Sequence, residues 1–322
     1  MAEIDPQVFR QAGLSVRRQV PLSTVGSFQL GGPAAFLIEC GSPKELAAAH
    51  SICADQHISA LLLGEGSNLL FSDRGWPGVL VRYVAPFREP EDLGEGIWKF
   101  CAGIPLQSLV DWAIEHGQSG LEAFTGIPGT LGGAVVGNAG AWGVQMEHVL
   151  LEVHGWNAEG ALQCLRTQNC GFAYRDSSLK HQGFWVSEVV LKTTNGDVEA
   201  LRRERDRILA LRAERHPDWR NLPCIGSFFK NLEPTSAAER RQAAGWFLET
   251  AGAKEQRVGG AGVFAGHANI LVKREPDCTA ADVAALARNL QQAVKNKHGL
   301  DLVREVRYLG DIPGEKGGSG FY

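Results

Sequence analysis

The chain has 322 residues, of which 44% are hydrophobic and 21% are charged, and it carries a formal net charge of -4 with a pI of about 6.2. This length predicts two or three domains, and this composition predicts a globular protein with a hydrophobic core. The acidic balance excludes a positive surface field of the kind that holds nucleic acid or an anionic membrane, so we expect neither partner.

The sequence shows neither a targeting segment nor a metal-binding motif. The N-terminal stretch "MAEIDPQVFRQAG" contains acidic residues and no apolar core, and no run of about 18 uncharged apolar residues follows, which predicts a cytoplasmic protein. The seven cysteines include no Cys-x-x-Cys pair, so we expect reduced thiols and no metal site. The lack of H-E-x-x-H and G-x-S-x-G motifs argues against metalloprotease and serine-hydrolase activity.

Residues 1–84 predict a first module that alternates strands with a helix. The strand "AAFLIEC" is followed by "SPKELAAAHSICADQH", a helix for which Ser42 is a suitable N-cap and Glu45 its capping-box partner. Three short apolar strands, "ALLL", "LLF" and "GVLV", complete the module, and the loop "GEGSN" separates the first two of them.

Residues 85–213 predict a second α+β region. A strand "IWKFCAG" leads to a helix over residues 105–117, then to a glycine-rich segment and to strands "VLLEVHGWN", "LQCLRT" and "GFWVSEVVLKT". The polar helix "DVEALRRERDRILALRAERHPDWR" follows. Its arginines fit a solvated face better than a nucleotide clamp, because Glu199 with Arg203 and Glu204 with Arg207 have the spacing of helical ion pairs.

Residues 214–310 predict a third region. It contains "CIGSFFKN", a helix over residues 236–251, strands near "GVFA" and "NILV", and a long helix over residues 279–298 in which Thr279 and Asp282 form a capping pair. The last strand is "DLVREVRYLG", with Glu305 near its centre. We expect residues 311–322 to be a flexible tail without function.

Two glycine clusters stand out, "GEGSN" at residues 64–68 and "GIPGTLGGAVVGNAGAWG" at residues 126–143. Glycines most often mark tight turns. Two glycine loops, however, could also let bare backbone N–H groups converge on a diphosphate, with added hydrogen bonds from the side chains of Ser67, Asn68, Thr130 and Asn138. Leu69 occupies the third glycine position of G-x-G-x-x-G and no P-loop is present, so neither the Rossmann fold nor the P-loop fold is expected. We expect that a dinucleotide with a planar ring is bound in another type of fold.

Six motifs occur in one order along the chain: "LGEGSNLLFSD", "GIPGTLGGAVVGNAGAWG", "FAYRDSSLK", "GSFFKN", "AGWFLETAG" with "GGAGVFAGHANILV", and "EVRYLG". In this order they resemble the UDP-N-acetylenolpyruvoylglucosamine reductase (MurB) family of peptidoglycan synthesis, over residues 23–310. The chain resembles the shorter type of this family, because Arg175 and Ser227 lie 52 positions apart with no tyrosine between them. It departs from the pattern at Leu232, where proline is usual, and at Lys273, where asparagine is usual.

The resemblance implies an α+β fold of the vanillyl-alcohol oxidase (PCMH-type) FAD-binding group. Residues 1–84 and 85–213 would form two FAD-binding subdomains, and residues 214–310 a C-terminal substrate domain. FAD would be bound noncovalently, since no motif for a covalent link is present. The implied cofactor-binding residues are Gly64, Gly66, Ser67, Asn68, Leu69, Gly126, Ile127, Pro128, Gly129, Thr130, Gly132, Gly133, Asn138, Gly140 and Ala141.

The family reaction implies an NADPH-dependent UDP-N-acetylmuramate dehydrogenase that reduces the enolpyruvyl ether of UDP-N-acetylglucosamine, and we expect a monomer. The resemblance assigns catalysis to Arg175, Ser227 and Glu305. On their residue types alone, these three would more often be a surface arginine, a turn serine and a cross-strand ion pair. The implied substrate-binding residues are Tyr174, Arg215, Lys230, Asn231 and His267.

Two other functions stay open at this point. A flavin-dependent oxidase of the same fold would pass electrons to oxygen and would not need the serine of "GSFFKN" or the glutamate of "EVR". A nucleotide-sugar or flavin-binding module would bind without turnover. The colour of the purified protein and its bleaching by NADPH under anaerobic conditions distinguish these functions from the reductase.

Overall fold

The structure is a computed structural model, and it describes residues 4–234 and 241–315. The described chain forms two compact units, each built from three segments. Unit 1 consists of Met1–Arg18, Phe36–Glu65 and Gly78–Leu211. Unit 2 consists of Gln19–Ala35, Gly66–Pro77 and Arg212–Tyr322.

Five of the eight described α-helices lie close to predicted helices, and three were not predicted: the first, the fourth and the fifth. The described helices are α1 Gln7–Gln11, α2 Pro43–Asp55, α3 Leu106–Glu115, α4 Leu131–Val136, α5 Ser178–His181, α6 Val198–Arg215, α7 Ala244–Thr250 and α8 Ala280–His298. The predicted helix over residues 236–251 begins in the stretch 235–240, which lies outside the described residues. In its described part the helix covers only Ala244–Thr250, because Gln242 pairs with Leu232 in an isolated bridge and Ala243 is extended.

The strands in the first half of the chain are β1 Ser15–Pro21, β2 Pro33–Cys40, β3 Ala60–Leu63, β4 Leu69–Phe71, β5 Trp76–Tyr83, β6 Glu91–Gly94, β7 Ile97–Cys101, β8 Gln118–Ser119, β9 Gly140–Ala141 and β10 Val144–Gln145. Those in the second half are β11 Leu150–Trp156, β12 Leu162–Arg166, β13 Trp185–Lys192, β14 Thr194–Asn195, β15 Cys224–Ser227, β16 Arg257–Val258, β17 Ala261–Phe264, β18 His267–Lys273 and β19 Arg307–Leu309.

Three larger sheets organise these strands. The first has the order β1-β2-β5-β3, with β3 and β5 parallel. The second, in unit 1, is an antiparallel sheet of order β12-β11-β13-β7-β6. The third, in unit 2, has the order β15-β18-β17-β16. A separate parallel pair in unit 2 joins β4 to β19.

Local sequence signals explain where the long helices begin and end. Ser42 accepts a hydrogen bond from the Glu45 N–H at 3.2 Å and so caps α2. Thr279 and Asp282 form a reciprocal capping box at the start of α8, as predicted. That helix ends at Gly299, whose φ of +71° is the left-handed conformation that glycine adopts without strain.

Each unit has its own hydrophobic core. In unit 1, the side chains of α2, α3 and the five-stranded sheet pack together, and Leu46, Leu109 and Val189 are fully buried. In unit 2, α8 buries a stripe that includes Val283 and Leu290 against the sheet of β15 to β18. Among the described residues, no helix is long and apolar enough to span a membrane.

The polar helix α6 has a solvated, ion-paired face, as its sequence predicts. Arg207 contacts Glu204 at 2.6 Å, and both side chains are about half exposed. The second ion pair differs in one partner, since Glu199 contacts Arg202 at 2.6 Å and not the predicted Arg203. These exposed pairs contribute little to stability and indicate a surface face.

The structure corrects the sequence prediction at three points near the C-terminus. The last strand covers only Arg307–Leu309, and Glu305 precedes it. The predicted tail is also not loose throughout: Ile312 is buried, and the Glu315 carboxylate contacts Arg288 at 2.7 Å and Arg304 at 3.3 Å. The segment packs because it has an apolar anchor and two arginine partners; residues 316–322 lie outside the described part of the chain.

The predicted domain limits correspond only in part to the two units. The limit at residues 213 and 214 is close to Arg212, where the long C-terminal segment of unit 2 begins. Both units also take segments from residues 1–84, which the sequence assigned to one subdomain. The division of the FAD-binding region at residue 84 stays a prediction.

Candidate flavin and substrate site

The glycine-rich segment forms a turn followed by the short helix α4. Thr130 caps this helix by accepting a hydrogen bond from the Gly133 N–H at 3.2 Å. Gly126 and Gly129 have φ values of +71° and +118°, so a side chain at either position would strain the backbone. The Gly126 N–H donates to Gln107 Oε1 at 2.7 Å, and the Gly129 carbonyl accepts from the Leu106 N–H at 2.9 Å. The start of α3 therefore holds this turn.

The remaining glycines of the segment permit close approach of the backbone. The Gly132 N–H donates to the Ala102 carbonyl at 2.7 Å, and a Cβ atom at Gly132 would lie 3.2 Å from Ala102. At Gly64, in the other glycine loop, a Cβ atom would collide with the Thr130 side chain. Gly64 and Thr130, predicted from separate loops, are therefore neighbours in unit 1, and their main chains can line a common ligand surface.

These features fit a cofactor that is held through the protein backbone. Gly64, Gly126 and Gly129, all in unit 1, are only partly buried, so their main chain is open to approach by a ligand such as a diphosphate. Ile127 and Pro128 add apolar surface to the same turn, which suits a planar ring. The Thr130 hydroxyl caps α4 and the Asn138 side chain bonds to neighbouring loops, and contact of either residue with a cofactor stays a prediction.

Asn138 is a structural clamp in unit 1. Its side chain is fully buried, its φ is +44°, and its Nδ2 donates to Glu147 Oε1 and to the Ala173 carbonyl, both at 3.0 Å. Its Oδ1 accepts from the Glu147 N–H at 3.2 Å. All of these bonds hold neighbouring loops. The Asn138 side chain therefore has a positioning role, and the predicted contact of this residue with the cofactor stays a prediction.

Arg175 occupies a strained turn that Asn138 helps to hold. Ala173 and Asp176 exchange two backbone hydrogen bonds of 3.0 Å, so Tyr174 and Arg175 are the central residues of a tight turn. The φ of Arg175 is +55°, at a turn position that glycine usually occupies. Arg175 Nη2 donates to the Gly140 carbonyl at 2.5 Å, and the guanidinium lies 5.2 Å from the centre of the Tyr174 ring. The side chain thus has a fixed direction.

The hairpin of β9 and β10 continues this strained region. Its two central residues, Trp142 and Gly143, have φ values of +55° and +84°, a turn in which asparagine and glycine are the usual residues. Trp142 is 52% exposed, and the Arg207 guanidinium lies 5.7 Å from the centre of its ring. The residue after Gly140, Ala141, pairs with Val144 across the hairpin.

Ser227 ends β15 immediately after a bulge in unit 2. Cys224 pairs with Val272, whereas Ser227 pairs with Ile270, so the β15 strand contains one extra residue. Gly226 has a φ of +74°, and this conformation lets the strand bend at that residue. A bulge of this kind turns the next side chain away from its regular direction. The glycine of "GSFFKN" is therefore needed for the direction of Ser227.

A buried asparagine on β18 holds the residues that follow Ser227. Asn269 is 2% exposed; its Oδ1 accepts from the Phe229 N–H at 2.9 Å, and its Nδ2 donates to the Phe229 carbonyl at 2.8 Å. Its own carbonyl accepts from the Phe228 N–H at 2.8 Å. Phe228 and Phe229 are buried, so Ser227 and Lys230 are fixed on either side of an anchored pair.

The segment of Glu305 lies beside this anchored pair. The Glu305 N–H donates to the Phe228 carbonyl at 2.9 Å, and the Lys230 N–H donates to the Val303 carbonyl at 2.8 Å. The structure therefore brings Ser227, Lys230 and Glu305 onto two adjacent segments of unit 2. Glu305 is placed by this backbone pairing and not by the regular strand that its sequence predicted.

The loop "GEGSN" is divided between the two units. Gly64 belongs to unit 1, whereas Gly66, with a φ of +68°, and Ser67 belong to unit 2. In unit 2, Asn68 Nδ2 donates to the Glu305 carbonyl at 3.4 Å, and Leu69 pairs with Arg307. Asn68 and Leu69 are thus neighbours of the Glu305 segment within unit 2.

The other predicted substrate residues lie elsewhere in unit 2 or have structural roles. Asn231 Oδ1 accepts from the Ala244 N–H at 3.1 Å at the start of α7. Arg215, the last residue of α6, is exposed. His267 lies 5.9 Å from His216 between ring centres. Burial lowers the pKa of His267, and Arg215 lowers it further.

Three positioning residues were not predicted, namely Gln107, Glu147 and Asn269. Gln107 holds the backbone of Gly126 and Glu147 holds the carboxamide of Asn138, whereas Asn269 holds Phe229, which lies between the predicted site residues Ser227 and Lys230. For Asn269, the only sequence signal was a polar residue inside the apolar strand "NILV". Buried polar residues need partners, so that pattern could have indicated a clamp.

Comparisons with known proteins identify the family of the chain. Residues 34–165 match the family described as "FAD binding domain", and residues 217–309 match "UDP-N-acetylenolpyruvoylglucosamine reductase, C-terminal domain". The first match confirms the predicted FAD-binding fold.

Among curated proteins, the chain is 36% identical to the UDP-N-acetylenolpyruvoylglucosamine reductase of Heliobacterium modesticaldum, over 94% of this chain and 93% of the relative. It is 35% identical to the enzyme of that name from Acaryochloris marina, over 97% of this chain and 99% of the relative. The crystal structure of the reductase (MurB) from Thermus caldophilus has a TM-score of 0.75 and 30% identity, covering 92% of this chain and 99% of the other. The chain therefore belongs to the UDP-N-acetylenolpyruvoylglucosamine reductase family.

Proposed function

We propose that this chain reduces the enolpyruvyl ether of UDP-N-acetylglucosamine to UDP-N-acetylmuramate, with NADPH as reductant and noncovalently bound FAD. The observation that carries the proposal is the arrangement of Ser227, Lys230 and Glu305 on two paired segments of unit 2. A proton donor beside a carboxylate and an ammonium is what protonation of a carbanionic carbon requires. Bound FAD would supply the hydride chemistry, accepting hydride from NADPH and delivering it to the terminal carbon of the enol.

Binding of the flavin would depend on the two glycine loops. Gly64 and Gly129, which are partly buried, would present their main chain to the diphosphate, Gly66 would let its loop turn, and Ile127 with Pro128 would contact the ring. Gly126, Gly132, Gly133 and Gly140 would act by letting the backbone turn and approach closely. The Asn138 side chain would hold the loop in shape.

Arg175 would bind the substrate carboxylate. Negative charge develops on the carbon next to that carboxylate after hydride transfer, and a guanidinium can stabilise it through two parallel hydrogen bonds. The bond from Arg175 Nη2 to Gly140 and the contact with Tyr174 support this role, because they orient the planar group in advance. A guanidinium has five N–H donors, so one orienting bond is compatible with a bidentate grip.

Ser227 would donate the proton to the same carbon. A serine hydroxyl is a weak acid, so its alkoxide must be stabilised or reprotonated at once. Lys230 is suited to this task, because it lies three residues on and the anchored Phe228 and Phe229 fix its backbone. Glu305 would orient the hydroxyl and its proton source from the adjacent segment.

The nucleotide part of the substrate would contact Arg215, Asn231 and His267. Of these, Arg215 and His267 are electrostatic neighbours in unit 2. We further propose that the chain acts as a cytoplasmic monomer of the shorter family type, in which no tyrosine loop covers the substrate.

An anaerobic half-reaction experiment tests the proposal. The purified chain should be yellow, should bleach when NADPH is added, and should regain its colour when the UDP-N-acetylglucosamine enolpyruvyl ether is added without oxygen. A colourless protein that binds UDP-sugars would indicate a binding module. Rapid reoxidation by oxygen without any response to the enol ether would indicate an oxidase.

A further inference from the structure

Three potential metal ligands face one another on the five-stranded sheet of unit 1, on strands that carry none of the site residues described above. Glu152 and His154 are two residues apart on β11 and so point to the same face, and Cys164 lies directly opposite His154 on β12. Glu152 Oε2 is 3.2 Å from His154 Nε2 and 3.3 Å from Cys164 Sγ. The three donor atoms all lie within 4.8 Å of one another.

We propose that Glu152, His154 and Cys164 bind one divalent ion of the zinc class. Zinc takes a thiolate at about 2.3 Å and imidazole or carboxylate ligands at about 2.0 to 2.2 Å in tetrahedral geometry, so neighbouring ligand atoms stand roughly 3.3 to 3.6 Å apart. The two measured separations are close to this range. The sheet therefore presents three ligands that need little movement, and a water molecule would complete the tetrahedron.

Without an ion, the same two contacts are hydrogen bonds to the Glu152 carboxylate. The ion must therefore displace the thiol proton: Cys164–SH and Zn²⁺ give Cys164–S–Zn and one H⁺, with no change of oxidation state. His154 would bind through Nε2, so the ring proton that Nε2 donates to Glu152 without the ion would move to Nδ1.

The surroundings include one charge that opposes binding and one that favours it. Arg166 lies opposite Glu152 on β12, and its positive charge weakens cation binding. Glu188 lies opposite His154 on β13 and supplies a second negative charge. The site is accessible, because Cys164 is exposed whereas the six other cysteines are buried or partly buried.

The position of the cluster suggests what the ion would do. The strand order places β12 at the edge of the sheet, paired only with β11. A metal bound by residues of both strands would join this edge strand to its neighbour. The site would thus be structural, and its effect would be seen in thiol reactivity and metal content, which are independent of turnover. This proposal departs from the expectation of no metal site, which rested on the absence of a Cys-x-x-Cys pair.

The test uses the untagged holoprotein, dialysed against Zn²⁺ and analysed for bound metal, and alkylation of Cys164 by iodoacetamide followed by peptide mass spectrometry. We expect one zinc per chain at micromolar free Zn²⁺ and slower alkylation of Cys164. His154→Ala and Cys164→Ser should lower the affinity by at least about tenfold, since even outer-sphere partners of metal ligands are worth about 10- to 100-fold.

The matched control is His181→Ala. His181 Nε2 also contacts a carboxylate, Asp176 Oδ1 at 2.9 Å, but no thiol joins this pair. The control should keep the wild-type zinc content and the protection of Cys164, and the flavin spectrum reports that each variant is folded. Equal zinc binding by wild type, His154→Ala and Cys164→Ser would overturn the proposal, as would an alkylation rate of Cys164 that does not depend on Zn²⁺.

Discussion

Two buried asparagines, one in each unit, hold the segments that carry the candidate catalytic residues. Asn138 joins Glu147 to Ala173 next to Arg175, and Asn269 fixes Phe229 next to Ser227. Both use the two ends of the carboxamide, and both are nearly inaccessible to solvent. In both units, therefore, the buried carboxamide of an asparagine holds a segment of irregular backbone in place through hydrogen bonds.

The two regions differ in where the backbone bends. Around Asn138 the bends occur at residues that have side chains: Asn138, Trp142 and Arg175 all have positive φ. In the segment that Asn269 holds, the bend occurs at Gly226 and involves no such strain. A positive φ at a non-glycine residue costs on the order of 1 to 3 kcal/mol and persists only where the surroundings enforce it.

This difference matches what each side chain has to do. A planar guanidinium must meet a carboxylate in one orientation, so a rigid, strained turn at Arg175 is useful. A serine hydroxyl rotates freely about its own bond and needs only to be delivered to the right place, for which a bulge suffices. We therefore expect changes in unit 1 to affect binding geometry, and changes in unit 2 to affect proton transfer.

The largest expected effect is at Gly129, the most strained glycine of the flavin loop. Valine cannot adopt its φ of +118° without distortion, and its side chain would cover the main chain that faces the cofactor. Gly129→Val should therefore be folded but free of flavin and inactive, as measured by the ratio of flavin to protein absorbance and by circular dichroism.

Gly94→Val is the matched control for Gly129. Gly94 also has a positive φ, +84°, but nothing lies within 4 Å of the Cβ position. This variant should be somewhat less stable and fully yellow. Recovery of yellow, active Gly129→Val would contradict the assignment of the loop.

The next largest effect separates the two half-reactions at Ser227. Loss of a positioned general acid typically costs about 10² to 10⁴ in rate. Ser227→Ala should therefore bleach with NADPH at a near-normal rate but regain its colour with the enol ether that much more slowly, as followed by stopped-flow absorbance. Ser51→Ala, at an exposed position on α2, is the control. Equal slowing of both phases would mean that Ser227 shapes a shared cavity.

The sequence predicted some of these features and not others, for physical reasons. Helices with caps and apolar stripes, such as α2 and α8, and the strands of alternating pattern were predictable because their signals are local. The motifs located Ser227 and Arg175. The pairing of Glu305 with Phe228, the clamps at Asn138 and Asn269, and the meeting of His154 with Cys164 all depend on which distant segments pair in the fold, and no local sequence pattern states this.

Glu305 shows this limit most clearly. Its neighbours alternate as in a strand, and on that basis a regular strand was predicted over the whole stretch. The structure has a strand only from Arg307, because β4 offers three residues as a parallel partner. Residues before it pair instead with the irregular segment after Ser227, through an isolated bridge between Phe229 and Arg304.

A third prediction tests the orientation argument at Arg175. Arg175→Lys keeps the charge but loses the planar fork, and a charge-assisted bidentate pair is worth about 1.5 to 3 kcal/mol, or roughly 10- to 100-fold. We expect that loss in kcat/KM for the enol ether, with NADPH bleaching affected less. Arg203→Lys on the exposed face of α6 is the control. Near-normal reoxidation by the enol ether in Arg175→Lys would refute the role.

A fourth prediction compares the two clamps directly. Asn269→Ala leaves the Phe229 N–H and carbonyl buried without their partner, and each unsatisfied group costs about 1 to 3 kcal/mol. It should lower the free energy of unfolding and slow reoxidation by the enol ether more than bleaching by NADPH. Asn138→Ala should instead lower flavin affinity.

The readouts for this pair are urea unfolding, flavin content and the two stopped-flow phases. Asn221→Ala removes an exposed amide that donates to Asp218 at 3.1 Å and should change none of them. The same pattern of losses in both clamp variants would show that the two regions do not have separate tasks.

The smallest expected effect concerns acid stability, for which unit 2 contains a histidine pair. Burial, followed by the charges of Arg212 and His267, lowers the pKa of His216 from 6.5 to about 4, and Arg215 adds to this effect. Between those pH values the unfolded chain binds more protons than the folded chain. The stabilising contribution of neutral His216 is therefore complete above about pH 6.5 and is lost as the pH falls toward 4. Because the ring is partly exposed, we expect a loss on the order of 2 kcal/mol at most.

His216→Gln should show a smaller difference in unfolding free energy between pH 7 and pH 5 than the wild type, whereas exposed His57→Gln should show the same difference as the wild type. An unchanged pH dependence in His216→Gln would mean that the acid sensitivity of the chain arises at other groups.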